Sequence, residues 1–164
     1  MPATKTMKLK IGDEAPAFSL PDQEDKKHSL SHHKGRWVFL YFYPKDDTPG
    51  CTKEACGIRD VYGNLTKAGL RVFGVSVDSV ESHKKFAEKY HLPFTLLSDA
   101  DKETVKAYNV WGKKKFLGRE YLSTLRTSFL INPEGRIAKI YENVKPENHA
   151  KEILDDFKAL KKND

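Results

Sequence analysis

The chain has 164 residues, enough for one domain with a real buried core, and its apolar and charged fractions are those of an ordinary globular protein. Its net charge of +6 comes from lysines spread along the whole length, with no basic block interleaved with base-stacking aromatics, so a solvated surface is expected rather than a nucleic-acid site. The opening MPATKTMKLK lacks the apolar core of a signal peptide and no later stretch is long enough to cross a bilayer, which points to a cytoplasmic protein without membrane contact.

Residues 17–20 and 27–30 flank Pro21-Asp22 and read as a small N-terminal β-hairpin. Residues 36–43, between Gly35 and Pro44, form an apolar run suited to a strand buried on both faces. From Pro49 to about Lys67, Ala55, Ile58, Tyr62 and Leu65 recur at helical spacing, Pro49 suits the first turn, and Gly69 is placed to end the helix. Residues 70–77 alternate and are β-branched, as a second central strand requires. Asp78 and Ser79 can cap a helix running to about Tyr90 with Phe86 and Tyr90 inward.

Residues 94–97 then form a short strand and 103–108 a short helix. Lys113-Lys114-Lys115, beside Gly112, marks an exposed loop. Residues 127–131 and 136–141 are strands joined by the turn Asn132-Pro133-Glu134-Gly135. Pro146 opens a last helix with Ile153, Phe157 and Leu160 on one face. No repeat or flexible linker divides the chain, so residues 1–164 read as one domain, with 1–8 a flexible N-terminal segment. Strands alternating with helices, then a closing hairpin and helix, give an α/β sandwich with a central mixed sheet. That layout is compatible with a thioredoxin-like fold carrying an N-terminal hairpin, and with other small α/β domains.

The chemistry centres on two cysteines. Cys51 lies where a strand turns into a helix, and a helix N-terminus favours the thiolate, the nucleophilic form of cysteine. Thr48 brings a hydroxyl three residues earlier, able to accept from the protein and donate to a ligand. Gly50 permits close approach of a substrate to the backbone, and Arg126 begins a strand that could pack beside the sulfur. Cys56 follows five residues later. On an intact helix the two Cα atoms stand about 8.6 Å apart, whereas a disulfide needs less than about 7 Å. If the pair joins, the first helical turns must unwind. Burial as a small hydrophobe is the alternative for Cys56.

Other cysteine chemistries fit less well. A cysteine hydrolase needs a histidine base, and His28, His32, His33, His83, His91 and His149 lie in no recognisable partner motif. A disulfide oxidoreductase prefers two residues between its cysteines, not four, and two cysteines without paired histidines do not complete a zinc site.

The pattern Pro44-x-x-x-Thr48-x-x-Cys51 resembles the active-site signature of the peroxiredoxins. The longer YFYPKDDTPGCTKEACGIRD is similar to their Q-type branch, the bacterioferritin comigratory proteins. Gly118-Arg119-Glu120-Tyr121, followed by Arg126-Thr127-Ser128-Phe129, resembles the family's second active-site strand, and IGDEAPAFSLPD its opening.

The resemblance implies a thioredoxin-like fold and thiol-dependent reduction of hydrogen peroxide and alkyl hydroperoxides. Cys51 is then the peroxidatic residue and passes through a sulfenic acid. Cys56 resolves it as an intramolecular disulfide, and thioredoxin or a similar dithiol recycles the pair. Thr48, Gly50, Cys51 and Arg126 hold the peroxide, and Pro44 shields the sulfur. Glu54 matches the family stretch and could orient Arg126. No cofactor or metal is implied, because sulfur carries both electrons. A monomer suffices, since both cysteines share one helix. A peroxide sensor or redox relay on the same fold uses the same thiolate and stays open. Phe42, Tyr43, Trp111 and Phe116 could line a hydroperoxide pocket or serve packing alone.

Overall fold

The computed structural model describes residues 8–162. Residues 1–7 of the expected flexible segment lie outside them, and its last residue, Lys8, pairs with Glu142 at 2.9 Å.

The chain runs β1 (Ser19–Pro21), β2 (Lys27–Ser29), a 3-10 turn (Leu30–His33), β3 (Trp37–Phe42), α1 (Pro49–Lys67), β4 (Leu70–Ser76), α2 (Val80–Tyr90), β5 (Thr95–Ser98), α3 (Glu103–Ala107), β6 (Trp111–Phe116), β7 (Arg119–Thr124), β8 (Thr127–Ile131), β9 (Ile137–Tyr141) and α4 (His149–Lys162). Five strands form the central sheet in the order β5-β4-β3-β8-β9. The first three are mutually parallel, and β8 and β9 run antiparallel to their neighbours, so the sheet is mixed as expected.

Strand β3 lies at its centre with all six residues buried, which is why its sequence is a continuous apolar run rather than an alternating one. Phe39 and Tyr41 join Tyr43 on the face covered by α1, α2 and α4, while Val38, Leu40 and Phe42 meet Phe18, Leu20 and Phe129 on the other. Helix ends follow local chemistry. The Ser79 hydroxyl accepts from Ser82 N–H at 3.1 Å to cap α2. Gly69, at φ +98°, takes the left-handed position that stops α1 and turns the chain into β4.

Two expectations are corrected. Helix α4 begins at His149 rather than Pro146, because residues 146–148 make a turn first, closed by Asn148 N–H on Lys145 O at 3.2 Å. The lysine run at 113–115 is no loop but part of β6, which pairs with β7 in a separate two-stranded ribbon. Its alternation is invisible as hydropathy because charged residues occupy both faces.

Candidate active site

Strand β3 ends at Phe42, Tyr43 N–H still reaches Val75 O at 3.1 Å, and the half-buried Pro44 turns the chain away from the sheet. The loop that follows is fastened to α2 by its two acids. Asp46 is buried and accepts from Tyr43 Oη at 2.6 Å, Ser82 Oγ at 2.8 Å and the fully buried His83 Nδ1 at 2.7 Å. His83 Nε2 lies 2.9 Å from Leu97 O, so the ring ties the loop to β5 as well. Asp46 N–H in turn donates to Asp78 Oδ2 at 2.8 Å. Asp46, Asp78 and His83 have the spacing of a metal site, but their ligand atoms are already engaged in these bonds. Asp47, at φ +56°, accepts from Lys89 Nζ and Tyr90 Oη, both at 2.8 Å, and these bonds hold its carboxyl below the usual range.

Thr48 is the N-cap of α1 through its backbone: its carbonyl accepts from Thr52 N–H at 2.8 Å. Its hydroxyl donates to Lys45 O at 2.8 Å. The one hydroxyl proton is thereby engaged, so the side chain offers a ligand its lone pairs rather than the donor expected from sequence. Cys51 is the third residue of α1 and 1% exposed. Pro49 has no N–H, and those of Gly50 and Cys51 have no acceptor within the helix, so they point at whatever occupies the N-terminus.

Arg126 reaches this turn from the residue just before β8. It follows β7, and its carbonyl accepts from Val144 N–H at 3.1 Å. The guanidinium lies against Gly50 so closely that a Cβ there would stand 2.6 Å from Arg126 Nη2. Glu54, one helical turn after Gly50 and 1% exposed, accepts from Arg126 Nη1 at 3.1 Å. Burial pushes the Glu54 carboxyl up to about 7, against the lowering pull of the guanidinium. Near neutral pH it therefore anchors Arg126 while neutralising only part of its charge. Glu54 Oε2 has no hydrogen-bond partner among the described residues.

Thr48, Gly50, Cys51 and Arg126 are thus brought to one helix end, with Pro44 at the start of the loop leading there. Cys56 is half-buried on the same unbroken helix, and both cysteines are free thiols. Among the aromatics, Phe42 and Tyr43 are core residues, Trp111 sits half-buried in the ribbon, and Phe116 lies out in solvent. Sequence reasoning missed Tyr41, which shares the helix-covered face with Cys51. Its hydroxyl is buried without a partner among the described residues, and burial together with Glu54 and Cys51 keeps the phenol protonated. Gly74 opposite is the signal that could have found it, because a Cβ there would stand 2.8 Å from the Tyr41 ring.

The AhpC/TSA family model matches residues 11–140. Peroxiredoxin Bcp of Escherichia coli K12 is 47% identical over 146 residues, covering 89% of this chain and 94% of the relative. Peroxiredoxin Bcp of Bacillus subtilis is 43% identical over 154 residues, covering 94% and 98%. Among solved structures, peroxiredoxin Q of Xanthomonas campestris superposes with a TM-score of 0.82 at 37% identity over 87% of this chain and 90% of that one. A PrxQ of Xylella fastidiosa gives 0.89 at 33% identity over 94% and 99%. Since fold, family model and near-full-length relatives agree, this chain belongs to the AhpC/TSA family and, within it, to the Q-type or Bcp peroxiredoxins, with a thioredoxin-like fold and thiol-dependent peroxidase activity.

Proposed function

We propose that Cys51 is the peroxidatic nucleophile and that the substrates are hydrogen peroxide and alkyl hydroperoxides. One observation carries the reading: the Arg126 guanidinium converges on the helical turn that holds Cys51. The positive end of the helix and this cation are placed where the negative charge of the reaction is carried. The thiolate attacks the terminal peroxide oxygen, the S–O bond forms as the O–O bond breaks, and the departing hydroxide or alkoxide takes a proton from solvent to leave as water or an alcohol, with Cys51 now a sulfenic acid. Arg126 and the N–H groups of Gly50 and Cys51 bear the charge that develops on the departing oxygen. The Thr48 lone pairs accept the hydroperoxide O–H, and Pro44 shields the oxidised sulfur. The bacterioferritin comigratory protein of Xanthomonas campestris, a structural relative at 37% identity, has alkyl peroxide reduction activity, which supports the same substrate class here.

Cys56 then condenses with the sulfenic acid, releasing water and forming an intramolecular disulfide. The intact α1 keeps the two residues too far apart, so its first turns open for this step. Thioredoxin or a similar dithiol restores both thiols. The enzyme acts as a cytoplasmic monomer of one domain.

Mass spectrometry after one equivalent of peroxide tests the assignment. Wild type forms an intrachain Cys51–Cys56 bond, Cys56→Ser accumulates sulfenic acid at Cys51, and Cys51→Ser resists rapid oxidation. Rapid oxidation of Cys51→Ser overturns the assignment of the nucleophile. Many turnovers of peroxide per protein with dithiol in excess separate the enzyme from a sensor that is oxidised once.

A further inference from the structure

The fold makes no use of the outer half of the β6–β7 ribbon. The two strands pair only with each other, and at their far end Phe116, Leu117, Tyr121 and Leu122 are 64%, 87%, 47% and 58% exposed. The tip is the two-residue turn Leu117-Gly118, with φ +52° and +78°. Such a turn favours Asn or Gly at its first position. A leucine there is a large apolar group displayed against local preference. Cations surround it. The register sets Arg119 opposite Phe116, Lys114 opposite Tyr121 and Lys113 opposite Leu122, and Glu120 is the sole acid of the two strands.

The root of the ribbon sits at the active site. Leu125 N–H donates to Val110 O at 2.7 Å, Gly112 fits against the Leu125 side chain, and the next residue is Arg126, which lies on Gly50. A body resting on the ribbon thus touches the strand pair whose root leads directly into Arg126 and, through it, Gly50 of α1. An anionic bilayer would match the charge but would make no use of this link to the helix that carries the cysteines. A second copy of the chain would set two cationic ribbons against each other, which like charges oppose.

We propose that the β6–β7 ribbon docks the protein that returns the oxidised cysteines to thiols: an acidic dithiol protein with an apolar contact face. The inference rests on the disulfide reading above. The partner's thiolate attacks Sγ of Cys56, breaking the Cys51–Cys56 bond and releasing Cys51 as the thiolate. Its second thiol then displaces Cys56. Two electrons and two protons pass to this chain, and the partner leaves as a disulfide.

Peroxide turnover is measured with an acidic thioredoxin and separately with dithiothreitol, for wild type, Lys113→Glu/Lys115→Glu and Phe116→Ser/Leu117→Ser. Both variants are expected to lose about tenfold or more in kcat/KM for thioredoxin, mainly through KM, while dithiothreitol turnover stays within about twofold. Wild-type turnover with thioredoxin falls as salt is added. Unchanged thioredoxin kinetics in both variants overturn the proposal, and so do equal losses with both reductants. If thioredoxin kinetics are unchanged but the variants no longer sediment with phosphatidylglycerol vesicles, or no longer dimerise, the ribbon belongs to a bilayer or to a second copy. Wild-type turnover with dithiothreitol but not thioredoxin removes the docking surface and leaves the peroxidase reading intact. Absence of turnover with either reductant removes that reading itself.

Discussion

At Gly50 one hydrogen atom in place of a side chain decides where a cation sits. A Cβ would stand 2.6 Å from Arg126 Nη2, the free end of a flexible side chain, so Gly50→Ala moves the guanidinium rather than the helix. Folding stability is expected to hold, since alanine is the better helix former. Peroxidase kcat/KM is expected to fall by about 100-fold through loss of orientation, measured by stopped-flow oxidation.

Glu54 supplies a second residue-scale test. Its carboxyl titrates at about 7 when folded and near 4.5 ordinarily. Between those values the native state keeps a proton that the unfolded chain has released. Its contribution to stability is therefore complete below about pH 4.5 and is lost as pH rises through about 7. Relative to wild type, Glu54→Gln should become progressively more stable from pH 5 to pH 8, by a difference on the order of 3 kcal/mol at most in urea midpoints. A constant difference across that range would mean that burial does not govern this carboxyl. The family resemblance already points to Glu54 as the partner of Arg126, but neither the closeness of Gly50 to the guanidinium nor the burial of Glu54 is legible in the sequence. Glycine at position 50 and an acid at 54 each fit an ordinary helix, and Arg126 meets them only because the sheet sets β8 beside β3.

Elements set the pace of the second chemical step. Helix α1 is regular from Pro49 to Lys67, and its limits are easily located in sequence because Pro49 and Gly69 act locally. Whether it can open depends on what covers it. Gly57, next to Cys56, faces α4, and a Cβ there would stand 3.5 Å from Ala150 Cβ, an ordinary contact. Gly57→Ala therefore adds about 1 kcal/mol of helix stability without a clash. It is expected to slow disulfide formation by about fivefold while leaving the first oxidation of Cys51 unchanged, followed by quenched-flow mass spectrometry. An unaltered rate would count against local unwinding. The loop before α1 is held by the partners of Asp46 and Asp47 on α2, contacts that join residues more than thirty positions apart. Sequence spacing marks both ends of this connection as polar and says nothing of their pairing.

Across the molecule as a whole the two apolar layers share the central sheet and its strand β3, so neither layer is expected to unfold alone. Trp37 packs on Phe157 of α4, its ring 5.5 Å away, while Trp111 sits at the base of the ribbon. In urea, a Trp111→Phe variant, which reports Trp37 alone, should give a fluorescence midpoint coincident with far-UV circular dichroism. Separate midpoints would divide the chain into more than one cooperative unit. No helix among the described residues is long and apolar enough to cross a membrane.

What the chain determined by itself is what short-range chemistry can write. Proline, glycine and serine mark where α1 and α2 begin or end, an unbroken apolar run announces β3, and the Pro44–Cys51 stretch carries the family signature. The start of α4 and the strand character of residues 111–124 are not legible there, because a turn intervenes at one and charge masks the alternation at the other. Tertiary structure alone decided how tightly the Arg126 guanidinium lies on Gly50, that Thr48 commits its proton to Lys45, and that Tyr41 rather than Phe42 shares a layer with Cys51. These depend on which strands are neighbours and on which face each side chain emerges. Distance in space separates from distance along the chain as soon as a sheet forms.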